Sequence, residues 1–190
     1  MKHECKSMTM SPALSLAGLA TLLALAVVSD LRSRRIPNEL VLTGLLLALG
    51  QHAAMLLAGQ APLAGAHAWS PLAGALAGGA ALLPLYLLRA SGAGDVKLMA
   101  TVGAFVGAAA ALTAALYTLL AGGVLALLWM VGHAVATRTL DKLRWRVTGW
   151  LLRLQGVPVP LALHDGARGL PYAVAIAAGT VAALLWPLRP

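Results

Sequence analysis

Ser91-Gly92-Ala93-Gly94-Asp95-Val96-Lys97-Leu98-Met99-Ala100 sets a carboxylate and an ammonium at the mouth of a long apolar run. From Leu98 to Thr137 the chain carries no Asp, Glu, Lys or Arg. One helix of that length would measure about 60 Å at 1.5 Å per residue, twice the thickness of the hydrocarbon core of a bilayer. The run therefore has to double back as two spans, and Gly107 to Ala111 is the expected turn. A charge at hydrocarbon depth costs about 2.5–3.5 kcal/mol on insertion scales, so Asp95 marks a functional site by default. Gly92 and Gly94, lacking Cβ atoms, allow a positive φ and the close approach of another backbone, whether protein or substrate, to the carboxylate.

Outward from this stretch the same pattern repeats. Leu40 to Leu88 is free of Asp, Glu, Lys and Arg and reads as two spans, the second from Leu72 to Leu88, separated by a polar interruption between Gln51 and Pro71. Ser7 to Ser29 is a first span, closed by Asp30 and the basic stretch Leu31-Arg32-Ser33-Arg34-Arg35. Asn38 and Glu39, after Pro37, read as the cap and acidic first turn of the second span. A last span runs from Gly169 to Leu188. Between Arg138 and Gln155, Leu140, Leu143, Val147, Trp150, Leu151 and Leu154 recur at helical spacing among arginines and a lysine, the pattern of an interfacial amphipathic helix. The expected fold is all-α, a single membrane-embedded domain over residues 1–190 with about six transmembrane helices.

Composition agrees, with 60% hydrophobic and 11% charged residues and a mean hydropathy of +0.84. A soluble domain is excluded. The net charge of +8 does not point to nucleic acid, because the basic residues sit in short connectors between apolar runs. Arg32, Arg34, Arg35, Arg89, Lys97, Arg138, Lys142, Arg144, Arg146, Arg153 and Arg168 all fall in connectors after odd-numbered spans. The even-numbered connectors hold none, so the odd ones are expected in the cytoplasm and both termini outside. A cleaved signal peptide competes for the first span, with Lys2 and Lys6 as its basic region, but the arginines directly after the apolar run favour retention. With Cys5 the only cysteine, neither a disulfide nor a cysteine-based zinc site can form within the chain. His3, His52, His67, His133 and His164 lack paired ligand spacing, so no metal and no cofactor is expected. The sequence sets no oligomeric state.

This topology carries Asp30 and Asp95 to one membrane surface. Two carboxylates bridging one water cannot both ionise easily, so one deprotonates the water while the other donates to a peptide carbonyl oxygen. Lys97 is expected to snorkel to the headgroups and so leave Asp95 unpaired. Small Gly and Ala residues over the third to fifth spans, among them Gly74, Gly78, Gly103 and Gly107, favour close helix contact.

Asp30 with Arg32, then Ile36-Pro37-Asn38, then Gly92-Ala93-Gly94-Asp95-Val96-Lys97-Leu98, then Leu170-Pro171-Tyr172 resembles the type IV prepilin peptidases, GxGD aspartyl proteases of the membrane. The resemblance runs from about Ser29 to Thr180. It implies catalytic roles for Asp30 and Asp95 and site-shaping roles for Gly92, Gly94, Lys97, Pro37 and Asn38. It also implies a bacterial inner-membrane endopeptidase that removes the short basic leader of a prepilin or pseudopilin-like substrate before its apolar helix. The chain lacks the cysteine-rich insert linked to methylation in the long form, so it looks like the short peptidase-only branch associated with Tad/Flp pili. Two other readings remain: a small proton- or ion-coupled transporter using the same aspartates, and a non-catalytic pilus or secretion assembly protein.

Overall fold

A computed structural model describes residues 12–88, 90–137 and 172–187. Within them lie six helices: α1 (Pro12–Ser33), α2 (Asn38–Leu57), α3 (Ser70–Leu87), α4 (Ala93–Val106), α5 (Ala108–Thr137) and α6 (Tyr172–Leu185). There is no strand among the described residues. The amphipathic helix expected over Arg138–Gln155 and the landmark pair Leu170-Pro171 lie outside them.

The helix order follows the hydrophobic runs. α1, α2, α3 and Ala108–Gly132 of α5 are each long and apolar enough to cross a membrane. α4 and α6, at 14 residues each, are shorter than the 20 or so residues of a full span. α4 tolerates this because it is an inner helix, with Leu98, Met99 and every residue from Thr101 to Val106 buried, so that protein encloses it. The outer surface is correspondingly apolar: Leu46, Leu76, Leu120 and Leu128 are all exposed. That is the surface of a chain solvated by lipid.

Three details depart from the sequence expectation. α1 runs one turn past Asp30, and Asp30 lies on the last turn rather than at the end. α2 continues through Gln51 and His52, within the stretch that the sequence marks as a polar interruption. Both are buried, and His52 Nε2 donates to the His67 carbonyl at 3.0 Å, which ties the α2–α3 loop back onto α2. Asn38 is the first helical residue of α2 and not its cap; Pro37 holds the cap position, with φ −61° and ψ 136°.

Gly107 is the hinge between α4 and α5, and it turns the chain in a single residue at φ +83°, a conformation that a Cβ disfavours. α3 and α4 approach so closely that a Cβ on Gly74 would overlap the Gly103 carbonyl, and one on Gly103 would overlap that of Gly74. α5 and α6 run antiparallel, and near the Gly107 end the Tyr117 hydroxyl donates to the Trp186 carbonyl at 3.2 Å. The end of α1 and the starts of α2, α4 and α6 thus gather at the opposite end of the bundle.

Candidate active site

Asp30 and Asp95 lie at that end, and both line a cavity of about 1020 Å³. Each is almost fully buried, at 7% and 9% exposed. Each carboxylate is held by a backbone N–H at a helix start. Asp95 is the third residue of α4, and its Oδ2 accepts from the N–H of Gly92, the cap of the same helix, at 2.9 Å. Asp30 Oδ2 accepts from the N–H of Ala173, in the first turn of α6, at 3.0 Å. The first N–H groups of a helix have no partner within it, and the helix dipole favours negative charge there. The fold therefore meets part of the cost of burying two acids by presenting a helix N-terminus to each.

The two acid-bearing segments are locked together by the turn after α1. Arg34 has φ +54° and its N–H donates to the Asp30 carbonyl at 2.9 Å, closing the helix in the left-handed manner usually reserved for glycine. Ser33 Oγ donates to the Ser29 carbonyl and Ser29 Oγ to the Arg35 carbonyl, both at 2.8 Å. The chain then folds back so that Ile36 packs on Gly94, where a Cβ would stand 3.3 Å from the Ile36 Cβ. Lys97 Nζ donates to Asn38 Oδ1 at 3.0 Å, so α4 is also tied to the start of α2. The Lys97 ammonium is thus turned to Asn38 at the exposed start of α2 and not to Asp95.

The expected site residues therefore divide. Asp30, Asp95, Gly92 and Gly94 line the cavity, whereas Pro37, Asn38 and Lys97 are exposed residues outside its lining. The glycine rationale also changes. Gly92 has φ −84° and Gly94 lies within α4, so neither needs the left-handed region. What approaches Gly94 is the side chain of Ile36 from the same chain.

Sequence reasoning missed Arg34, Arg35, Ser91 and Tyr172 as cavity residues. Tyr172 was legible as part of Leu170-Pro171-Tyr172, but nothing in its type revealed that its helix start would meet Asp30. The Ala173 donor is a main-chain group, which no side-chain pattern reports. Among the described residues no three His, Cys, Asp or Glu cluster as a metal site.

A helical bundle with a lipid-compatible surface and two buried carboxylates sharing one cavity defines a membrane protein equipped for acid–base chemistry at one end of its bundle. Comparison of the sequence with protein families makes the class specific. The type IV leader peptidase family matches over residues 17–127, more than half of the chain and including both aspartates, and the chain belongs to that family. It is accordingly a membrane hydrolase, a protease of the leader-peptidase type whose substrates are in general prepilin-like. No curated protein matches the chain, and no solved structure does.

Proposed function

We propose that the chain is an aspartic endopeptidase that removes the short basic leader of a prepilin or pseudopilin-like protein at the cytoplasmic face of the bacterial inner membrane. Asp30 and Asp95 are its catalytic pair. The observation that carries this reading is that these two residues, distant in sequence, bury their carboxylates at one shared cavity. One carboxylate takes a proton from a water as its oxygen bonds to the scissile carbonyl carbon. The other, protonated, donates to the carbonyl oxygen. As the tetrahedral intermediate collapses, one of its hydroxyls returns a proton to the second carboxylate, the C–N bond breaks, and the proton taken from the water leaves on the new amine. Neither role is fixed to one residue.

The remaining parts of the proposal follow the charge pattern. The whole of 1–190 acts as one peptidase domain of the short Tad/Flp-associated type, without methyltransferase activity and with both termini outside. A transporter would hold its acids near the bilayer midplane. Here both belong to a cavity at one end of the bundle that is also lined by Arg34 and Arg35, which favours the peptidase.

The test is leader processing of a co-expressed prepilin-like substrate by Asp30→Asn and Asp95→Asn. Asparagine keeps an oxygen that can accept the Ala173 or Gly92 N–H, so both variants should reach the membrane at normal abundance. Cleavage should fall by at least the 10²- to 10⁴-fold that positioned acid–base groups contribute. Full processing by either variant would defeat the assignment.

A further inference from the structure

The cavity has two unlike walls. Besides the aspartates and arginines, the lining includes Leu85 and Tyr86 of α3 and Leu119, Gly122, Gly123 and Ala126 of α5. The four α5 residues recur at helical spacing and form one stripe. Gly123 is exposed, and a Cβ there would meet nothing within 4 Å. Its neighbours on the outer surface, Leu120 and Leu127, are exposed and apolar. The cavity therefore opens sideways at Gly123, through a gap in a surface otherwise covered by leucine.

Resting on the leader-peptidase reading, we infer that this trough between α3 and α5 holds the apolar helix of the substrate directly after the scissile bond, with Gly123 at the point of closest approach. Size and polarity agree. A helix treated as a cylinder of about 5 Å radius takes roughly 120 Å³ per residue, so 1020 Å³ admits on the order of nine residues. That is enough for the scissile segment and the first turns of a helix, but not for a whole span. The rest of such a helix has to emerge into lipid, and the open side at Gly123 is apolar enough to let it out. The charged wall meets the cleavage point, while the apolar wall needs no polar partner from the substrate. A lone ion or a water-soluble peptide would have no use for such a wall.

Disulfide cross-linking tests the path in Asp95→Asn protein, which should retain uncut substrate, with Cys5→Ser as background. The probe is a single-pass protein with a short basic leader and an uncharged apolar helix, carrying one cysteine moved through the first turns of that helix. Gly123→Cys should link to it at positions three or four residues apart. Leu128→Cys, exposed on α5 about 140° round the helix from Gly123, should not. Equal linking at both sites, none at Gly123→Cys, or links between two copies of the chain in place of substrate would overturn the inference. The unsubstituted chain is given the same probe. Failure to cut it would count against the peptidase reading itself, whereas cutting without a link at Gly123→Cys would count only against the trough.

Discussion

Gly94→Ala and Gly94→Val probe the contact that holds the two aspartate-bearing segments together. An alanine Cβ would stand 3.3 Å from the Ile36 Cβ and 3.6 Å from its Cγ1 and Cδ1. Non-bonded carbons settle at about 3.5–4.0 Å, so the start of α4 and the turn after α1 must part by roughly 0.4 Å. A misplacement of 1 Å can cost about 10²-fold in rate, and on that scale 0.4 Å costs about sixfold. Alanine is meanwhile favoured over glycine in a helix by about 0.5–1 kcal/mol, which offsets the tight contact, so abundance should hold. Valine adds two methyl groups beside Ile36 and should force a shift beyond 1 Å, lowering cleavage by more than about 100-fold. Gly92→Ala is the control within the same motif. Its Cβ would meet Asp95 Oδ2 at 3.5 Å and the Gly94 nitrogen at 3.9 Å, both ordinary contacts, and its φ of −84° suits any residue, so cleavage should stay within about twofold. The assay is membrane abundance by immunoblot beside the rate of leader removal per molecule of enzyme. Wild-type cleavage per molecule in Gly94→Val, or a larger loss in Gly92→Ala than in Gly94→Ala, would refute the reasoning.

Lys97→Met and Asn38→Leu should each lower thermal stability by no more than about 1 kcal/mol, because the bond they break is exposed and screened. The double variant should lose no more than the worse single variant; full additivity in a thermal-melt cycle would show that the contact carries nothing. Reporter fusions near residues 60 and 110 should report the exterior and those near 34, 92 and 150 the cytoplasm, as the arginine and lysine distribution requires. The reverse pattern would put the aspartate pair on the wrong face for leader removal.

The apolar runs made the helices legible because lipid demands uninterrupted apolar segments with satisfied backbones. A charge-free stretch from Leu98 to Thr137 could only double back, but the turn expected over Gly107 to Ala111 is confined to Gly107, with Ala108 already in α5. Convergence of Asp30 and Asp95 was legible as well, since alternating spans bring the connector after α1 and the one before α4 to the same end. What escaped sequence reading is local hydrogen bonding. Extension of α1 past Asp30 rests on a serine back-bond and a left-handed arginine, and leucine-rich periodicity does not encode either. Burial of His52 within α2 goes with a bond to a carbonyl 15 residues away in sequence. Tethering of Lys97 to Asn38 spans 59 residues, so the lysine read alone offered only the generic behaviour of a membrane-edge cation.

Gly74 separates folding from catalysis, because its effect should be the mirror image of that at Gly94. A Cβ at Gly74 would overlap the Gly103 carbonyl, and backbone at a helix crossing cannot rotate aside as a side chain can. Gly74→Ala must therefore drive α3 and α4 apart where they cross most closely, and overpacking of this kind costs about 1–3 kcal/mol. Against a total stability of about 5–15 kcal/mol, that loss enlarges the unfolded fraction available for degradation, so membrane abundance should fall severalfold. Gly103 lies eight residues from Asp95, about 12 Å along α4, and the hydrogen bonds that fix the two carboxylates come from Gly92 and Ala173 at the other end. Molecules that do fold should therefore cleave at close to the wild-type rate. Measuring abundance and cleavage per molecule for Gly74→Ala beside Gly94→Ala should give opposite signatures. If Gly74→Ala instead kept its abundance and lost its activity, the α3–α4 crossing would have to be counted as part of the machinery that sets the aspartate pair.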